Sequence, residues 1–369
     1  MIVLIVLFWA SLAALVWTHA LYPLAAAAAA GVRTRRVRRE DGFEPAVSVI
    51  VAAWNEEEVI ERRLENLLAV DYPPGKLELV VASDASSDRT DELVERFAAR
   101  GVRLVRCPRG GKVAAQNHAV PQTSGEVLAF SDANATWAPD ALRKLVRNFA
   151  DPDVAYACGR LRLEAAGGGN REGAYWRYEL WLRGSESRLG SVTGGNGSIY
   201  AVRRTDYVDV DPRFGHDLSL PYLMVQRGRR AVYDPEALAF EKPTPTNEDE
   251  FRRKVRMFEH CWLIVGRGRM LRDQPPGYAL ELVSHRHLRY ASGLLHLVLL
   301  VTSVALVAAG AGWFYDVALG VQLGLLAAAV VGVGIARYYV LVSWATVVAL
   351  WNALRAGVPP VWEKAEGTR

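Results

Sequence analysis

Charge is absent from the start of this chain: no Asp, Glu, Lys or Arg occurs in residues 1–30. A run of that length can span a bilayer. Residues 291–315 are also uncharged, and further apolar stretches cover 317–336 and about 338–354. Cysteine is scarce. Cys107, Cys158 and Cys261 stand far apart and without metal-ligand spacing, so buried or idle thiols in a reducing compartment are the default. No long-range repeat is present. The net charge of +4 is too small to mark a nucleic-acid binder, and no nucleic-acid partner is expected. No basic residue precedes the first apolar run, which argues for a retained anchor over a cleaved signal peptide.

What is present gives the ends and the middle different characters. Arg33, Arg35, Arg36, Arg38 and Arg39 follow the first apolar run directly. The positive-inside rule then puts the N-terminus outside and the central segment in the cytoplasm, as a multi-pass protein of the plasma (inner) membrane. The expected layout is a transmembrane helix at 1–30, a basic juxtamembrane linker at 31–46 and a globular domain at 47–260. Interfacial helices at 261–290, transmembrane or interfacial helices at 291–355 and a tail at 356–369 complete it. If 338–354 crosses fully, the tail lies outside; Trp344, Asn352 and Arg355 instead fit an interfacial helix. His285 and His287 suit lipid-headgroup contacts better than metal ligation, and Gly167–Gly169 reads as a flexible loop.

Within the middle, strand-like runs at 47–52, 77–82, 102–106 and 126–130 alternate with helix-like segments near 56–69, 88–100, 111–119 and 139–149. That order predicts an α/β domain with a mainly parallel sheet flanked by helices. Ser87 or Asp88 can cap the second helix, and Pro139 suits the first turn of the fourth. The second half is less regular. It holds an aromatic-rich helix candidate from Tyr175 to Trp181 and a glycine-rich loop over 193–198 that leads into a strand. A helix near 217–227, a strand near 230–233 and a basic helix from about 247 to 271 follow.

Strand carboxyl ends in an open parallel sheet face one ligand crevice. Asn55, Glu56, Asp84, Asp88, Asp132 and Asn134 follow three such strands and should gather there, with Lys112. Acidic groups beside a lysine suit a sugar nucleotide and its divalent metal. Asn55, Glu56, Asp84 and Asp88 are candidates for the base and ribose, and Lys112 for the diphosphate; an acidic helix start is also the ordinary role for Asp88. Asp132 and Asn134 offer hard oxygen ligands for Mg²⁺ or Mn²⁺. His216-Asp217 opens a helix, with Asp217 placed to take a proton from an acceptor hydroxyl. Gly195 and Asn196, with His216, are candidates for the acceptor side. Arg253 and Arg256, in the run Arg252–Arg256, can stabilise a departing diphosphate.

These segments together resemble the membrane-bound family 2 glycosyltransferases, which include cellulose, chitin and hyaluronan synthases. The resemblance runs from about Val47 to Arg256. Trp54-Asn-Glu56 is similar to the family's first nucleotide contact, and Ser83–Thr90 to its Asp-Gly-Ser-x-Asp-x-Thr segment, which implicates Asp84 in uridine binding. Gly111-Lys112 with Asn117 matches Gly-Lys-x-x-Ala-x-Asn, and Asp132-Ala-Asn134 takes the Asp-x-Asp place. His216-Asp217 takes the Glu-Asp place, which implicates Asp217 as catalytic base. The resemblance implies a GT-A fold, inverting transfer from a UDP-sugar, a divalent metal and a lipid-linked or cell-surface glycan acceptor. Other polysaccharide-assembly proteins would be partners. Two departures stand out. Asn134 replaces an Asp, and the processive Gln-x-x-Arg-Trp reads Arg253-Lys-Val-Arg256-Met257, which retains only Arg256. A processive synthase and a catalytically silent assembly subunit are the alternatives.

Overall fold

The computed structural model describes residues 1–163, 173–243 and 246–361. Gly167–Gly169 and the end of the tail from Trp362 lie outside the described residues. A long N-terminal helix comprises α1 (Ile2–Val16), a π-helical turn (Trp17–Leu21) and α2 (Tyr22–Val32). Next come β1 (Val47–Ala53), α3 (Ile60–Leu68), β2 (Leu77–Asp84), α4 (Thr90–Glu95), β3 (Val102–Cys107), α5 (Lys112–Ala119) and β4 (Val127–Asp132). The second half holds β5 (Thr136–Trp137), α6 (Ala141–Val146), β6 (Val154–Leu163), α7 (Ala174–Leu189), β7 (Tyr200–Arg203), α8 (His216–Gln226) and β8 (Arg230–Glu241). Helices α9 (Asn247–Arg267), α10 (Pro276–Glu281), α11 (Leu288–Tyr290), α12 (Ser292–Ala308), α13 (Trp313–Val330) and α14 (Gly334–Ala356) end the chain.

The eight strands form one sheet in the order β3-β2-β1-β4-β7-β6-β8-β5. The first four are parallel, and their apolar residues are buried on both faces, as a sheet covered by helices requires. Beyond β4 the sheet is mixed: β7 runs antiparallel to β4 and β6, β8 is parallel to β6, and short β5 closes the edge antiparallel to β8. Asp140, not Pro139, occupies the N-cap position of α6. Arg89, not Ser87 or Asp88, occupies the N-cap position of α4, and Asp88 just before it accepts from the Thr90 backbone N–H at 2.9 Å.

The apolar ends divide differently from the hydropathy. Breaks at 309–312 and 331–333 separate the last three helices, so Asp316 and Arg337 lie in first turns and not between spans. Glycines set these breaks: Gly310, Gly312 and Gly332 all have positive φ. The N-terminal helix runs on to Val32 and changes neighbours midway. Phe8 and Leu15 pack with Leu299 and Leu306 of α12, whereas Tyr22 and Ala26 pack on Leu182 of α7. Helix α9 passes residue 260 without a break.

Helix α14 is long and apolar enough to cross a membrane, but its packing ties it to the globular domain. Tyr338 near its start lies 5.6 Å, ring to ring, from Tyr175. In its middle, Ala345 and Ala349 are buried against Phe258 and Cys261 of α9, and Trp262 donates to the Thr346 carbonyl at 2.9 Å. Asn352 donates to Glu259 at 2.8 Å. Just past its end, the Pro360 carbonyl rests against Gly111. Contact at both ends and between them lays this helix along the domain.

Candidate active site

The parallel half of the sheet builds its loops by cross-bracing. Asn55 takes a left-handed conformation (φ 54°), and its Oδ1 accepts from the Ser87 backbone N–H at 2.8 Å, joining the loops after β1 and β2. The buried Glu56 follows, its backbone N–H held by the Thr90 hydroxyl at 2.7 Å. Asp88 receives the Glu57 backbone N–H at 3.2 Å as well as that of Thr90, so its carboxylate braces the two loops.

Asp84 ends β2 almost fully buried. Its Oδ1 accepts from Gly110 N–H at 2.7 Å and its Oδ2 from Gly111 N–H at 2.9 Å and from Arg109. The Arg109 guanidinium lies 3.8 Å from the Trp54 ring centre. Asp84 therefore fixes the loop that presents Lys112. Gly111, with φ 91°, allows that loop's turn, and any Cβ there would strike Pro360.

Lys112 is where the two halves meet. Its ammonium is ion-paired with Asp132 Oδ1 and lies 3.5 Å from the Gly197 carbonyl. Burial alone would lower its pKa; the opposing pull of Asp132, then of Asp217 and Glu241, holds it above the ordinary lysine value. Gly197 lies close to this pair: a Cβ there would stand 2.9 Å from Lys112 Nζ and 3.3 Å from Asp132 Oδ2. A small cavity of about 50 Å³ opens here, lined by Lys112, Gln116, Gly197, Tyr200, His216 and Asp217.

Asp217 stands in the first turn of α8, its carboxylate over Gly215, and its carbonyl accepts from Gly195 N–H at 2.7 Å. His216 also lines this cavity, although it is nearly fully buried. Its Nδ1 bonds the Tyr200 hydroxyl at 2.9 Å, and burial followed by the Lys112 charge pushes its pKa down to about 3, leaving it neutral. Asn196 is likewise spent within its own turn: Oδ1 accepts from Ser198 and Ile199, and Nδ2 donates to the Gly159 carbonyl at 2.6 Å. Asn134 is half-buried in the turn after β4. Arg253 makes a two-pronged pair with Glu250 at 2.9 and 3.0 Å. Burial, then the neighbouring Arg253 charge, lowers the Arg256 pKa.

The glycine-rich loop hangs from a buried polar network. Glu186 of α7 accepts from the Thr193 hydroxyl at 2.9 Å and shares a hydrogen with His285 at 2.6 Å, while Arg286 donates to the same hydroxyl at 3.0 Å. Tyr22 donates to Glu186 at 2.7 Å. His285 is thus buried between Glu179 and Glu186 and is not a headgroup contact.

Sequence inspection missed Glu241 and Arg63. Glu241 ends β8 as an acid after an apolar strand, the same signal that marks Asp84 and Asp132. Its carboxylate accepts from the Ser198 hydroxyl. Burial, then Asp132, pushes its pKa up to about 7. Arg63, fully buried, donates to Ser131 beside Asp132 at 2.7 Å.

The model of the family described as "Glycosyl transferase family 2" matches residues 48–209. The chain carries a family 2 glycosyltransferase domain. A mannosyltransferase from Pyrobaculum calidifontis, solved with GDP-Man and Mn²⁺, superposes with a TM-score of 0.77 at 25% identity, covering 95% of this chain and 98% of that one. The glycosyltransferase domain has the GT-A fold. A beta-monoglucosyldiacylglycerol synthase of Trichormus variabilis is 31% identical over 185 residues, 47% of this chain and 39% of that protein. An N-acetylglucosaminyltransferase of Rhizobium meliloti is 28% identical over 295 residues, 70% of this chain and 67% of that protein. The chain thus spans well under half the length of the first curated relatives it matches. Asp217 and Glu241 lie beyond the matched family segment.

Proposed function

We propose that this protein is a membrane-anchored inverting glycosyltransferase that moves a hexose or N-acetylhexosamine from a nucleotide-diphosphate sugar, a UDP-sugar in the first instance, to a lipid-linked or cell-surface glycan acceptor. The observation that carries it is the meeting of Lys112, Asp132 and Asp217 around Gly197. Lys112 sits at the N-terminus of α5, where positive charge and open N–H groups favour a diphosphate. Asp217 lies across the cavity from it, so an acceptor hydroxyl between them can give Asp217 its proton. The hydroxyl oxygen then bonds the anomeric carbon as the bond to the diphosphate breaks on the opposite face, which inverts the centre. Arg253 and Arg256 are the basic groups for the departing charge.

The donor set at the metal corner is oxygen only: Asp132, the Asn134 amide and Glu241. No cluster of three His, Cys, Asp or Glu side chains is present among the described residues. A hard cation that takes one or two carboxylates and fills its shell with phosphate and water suits this set, and Mg²⁺ or Mn²⁺ would neutralise the leaving diphosphate. The relative that binds GDP-Man with Mn²⁺ supports the metal and makes GDP-mannose the second donor to test.

The membrane arrangement follows from counting crossings. The first half of the N-terminal helix, α12 and α13 are the spans. Two crossings by α12 and α13 return the chain to the side of the domain, where α14 lies along α9 and Pro360 meets Gly111. The active site then faces the membrane surface, where a lipid-linked acceptor is concentrated. The missing Gln and Trp of the processive motif favour single transfer over chain synthesis, and the assembled Lys112, Asp132 and Asp217 favour an enzyme over a silent subunit. Nucleotide release by the detergent-purified protein, from a panel of UDP-sugars and GDP-mannose with Mn²⁺ and with chelator, tests this. Metal-dependent release from one donor is expected. No release from any donor, even with a membrane extract as acceptor source, would refute the enzyme.

A further inference from the structure

We propose that Glu241 is the second carboxylate of the divalent-cation site, supplying from β8 the charge that Asn134 leaves out. This rests on the metal-dependent function proposed above. The strand register brings the residue there. β4 ends at Asp132, and the turn through Asn134 enters β5. β5 pairs antiparallel with the end of β8, Thr136 opposite Phe240 and Trp137 opposite Ala239. One further step in that register sets Glu241 beside Ala135, next to Asn134. A residue remote in sequence thereby joins the Asp132 turn through two residue pairs of a short edge strand.

The side chains agree with the register. The Ser198 hydroxyl donates to Glu241, and the Ser198 carbonyl accepts from Ser131 at 3.0 Å and from the Trp137 indole at 2.9 Å. Ser131 immediately precedes Asp132, so both carboxylates are tied to the same short stretch, Gly197-Ser198. Two neighbouring carboxylates repel each other unless a cation sits with them. Lys112 meets that need from its ion pair with Asp132. A divalent cation would meet it more fully, since Asp132 and Glu241 offer two charged oxygen donors where Asp132 and Asn134 offer one. The neutral Asn134 is then tolerated because the site's second negative charge comes from another strand.

The test is Mn²⁺ binding by the full-length protein in detergent, followed by the electron paramagnetic resonance of free Mn²⁺, with UDP and separately with GDP. Glu241→Gln is expected to weaken Mn²⁺ at least tenfold while its melting temperature stays close to the parent's. Glu241→Asp, which keeps the charge on a shorter arm, should fall between them and serves if the Gln variant melts early. Adding Asn134→Asp to Glu241→Gln should regain most of the lost affinity. Parent-like Mn²⁺ binding by Glu241→Gln overturns the Glu241 assignment alone. A parent that binds no Mn²⁺ with either nucleotide overturns the metal itself, and the assignment with it.

Discussion

The two halves of the glycosyltransferase domain solve the same problem by opposite means. From β1 to β4, each polar loop follows its own strand, and neighbouring loops brace one another through Asn55, Asp84 and Asp88. From β6 to β8, the parts of the site come from afar. Gly195 is held by the Asp217 carbonyl, Thr193 by Glu186 and Arg286, and Glu241 by the Ser198 hydroxyl. The side proposed to bind the donor is therefore local and self-supporting. The acceptor side is a set of long-range contacts that also reach the N-terminal helix through Tyr22.

That contrast can be broken first at its chemical centre. Asp217→Asn should lower the transfer rate by about 10²–10⁴, the usual worth of a general base, with nucleotide affinity within twofold of the parent. Single-turnover rates and calorimetric nucleotide titration check both. Parent-like turnover would remove Asp217 as the base.

Next is the donor side's own brace. Asp84→Asn leaves Arg109 short of its buried partner and weakens the hold on Gly110 and Gly111. A stability loss of about 3 kcal/mol is expected, with donor affinity falling before the acceptor KM changes. Chemical denaturation and nucleotide titration separate these.

The converse pattern should come from Glu186→Gln, which loosens the Thr193 loop at a loss of about 1–3 kcal/mol. Its acceptor KM should rise while donor affinity holds. A donor-affinity loss equal to that of Asp84→Asn would erase the distinction between the halves.

A pH slope in stability completes the set. His216 is neutral in the fold with its pKa near 3, whereas the unfolded value is near 6.5. The unfolded chain alone binds that proton in between, so this stabilising contribution is complete above pH 6.5 and is lost as pH falls toward 3. Melting curves from pH 7 to pH 4 should fall less steeply in His216→Gln than in the parent.

The donor half was the legible half, and for a physical reason. Val47–Ala53, Leu77–Asp84 and Val127–Asp132 are mostly covered strands and Val102–Cys107 buries its apolar residues, so apolar runs ending in polar residues mark them within a residue or two. The same pattern marks Glu241, but it was hidden in Arg230–Glu241, a strand whose middle carries Asp234, Pro235 and Glu236. Asn196 and His216 show the reverse. Their types and places suit an acceptor site, yet hydrogen bonds to Gly159 and Tyr200 engage them in the fold.

The amino-acid order fixes the local terms: which runs are strands, where acids and Lys112 follow them, and which ends are apolar. Those depend on patterns a few residues long, and such patterns are readable without a partner. Tertiary structure alone placed α14 along α9, Pro360 against Gly111, and Glu241 against Ser198. Each of these is a pairing between distant segments. Hydropathy cannot tell an apolar helix that buries Ala345 and Ala349 against protein from one that buries them in lipid, because both surroundings reward the same side chains.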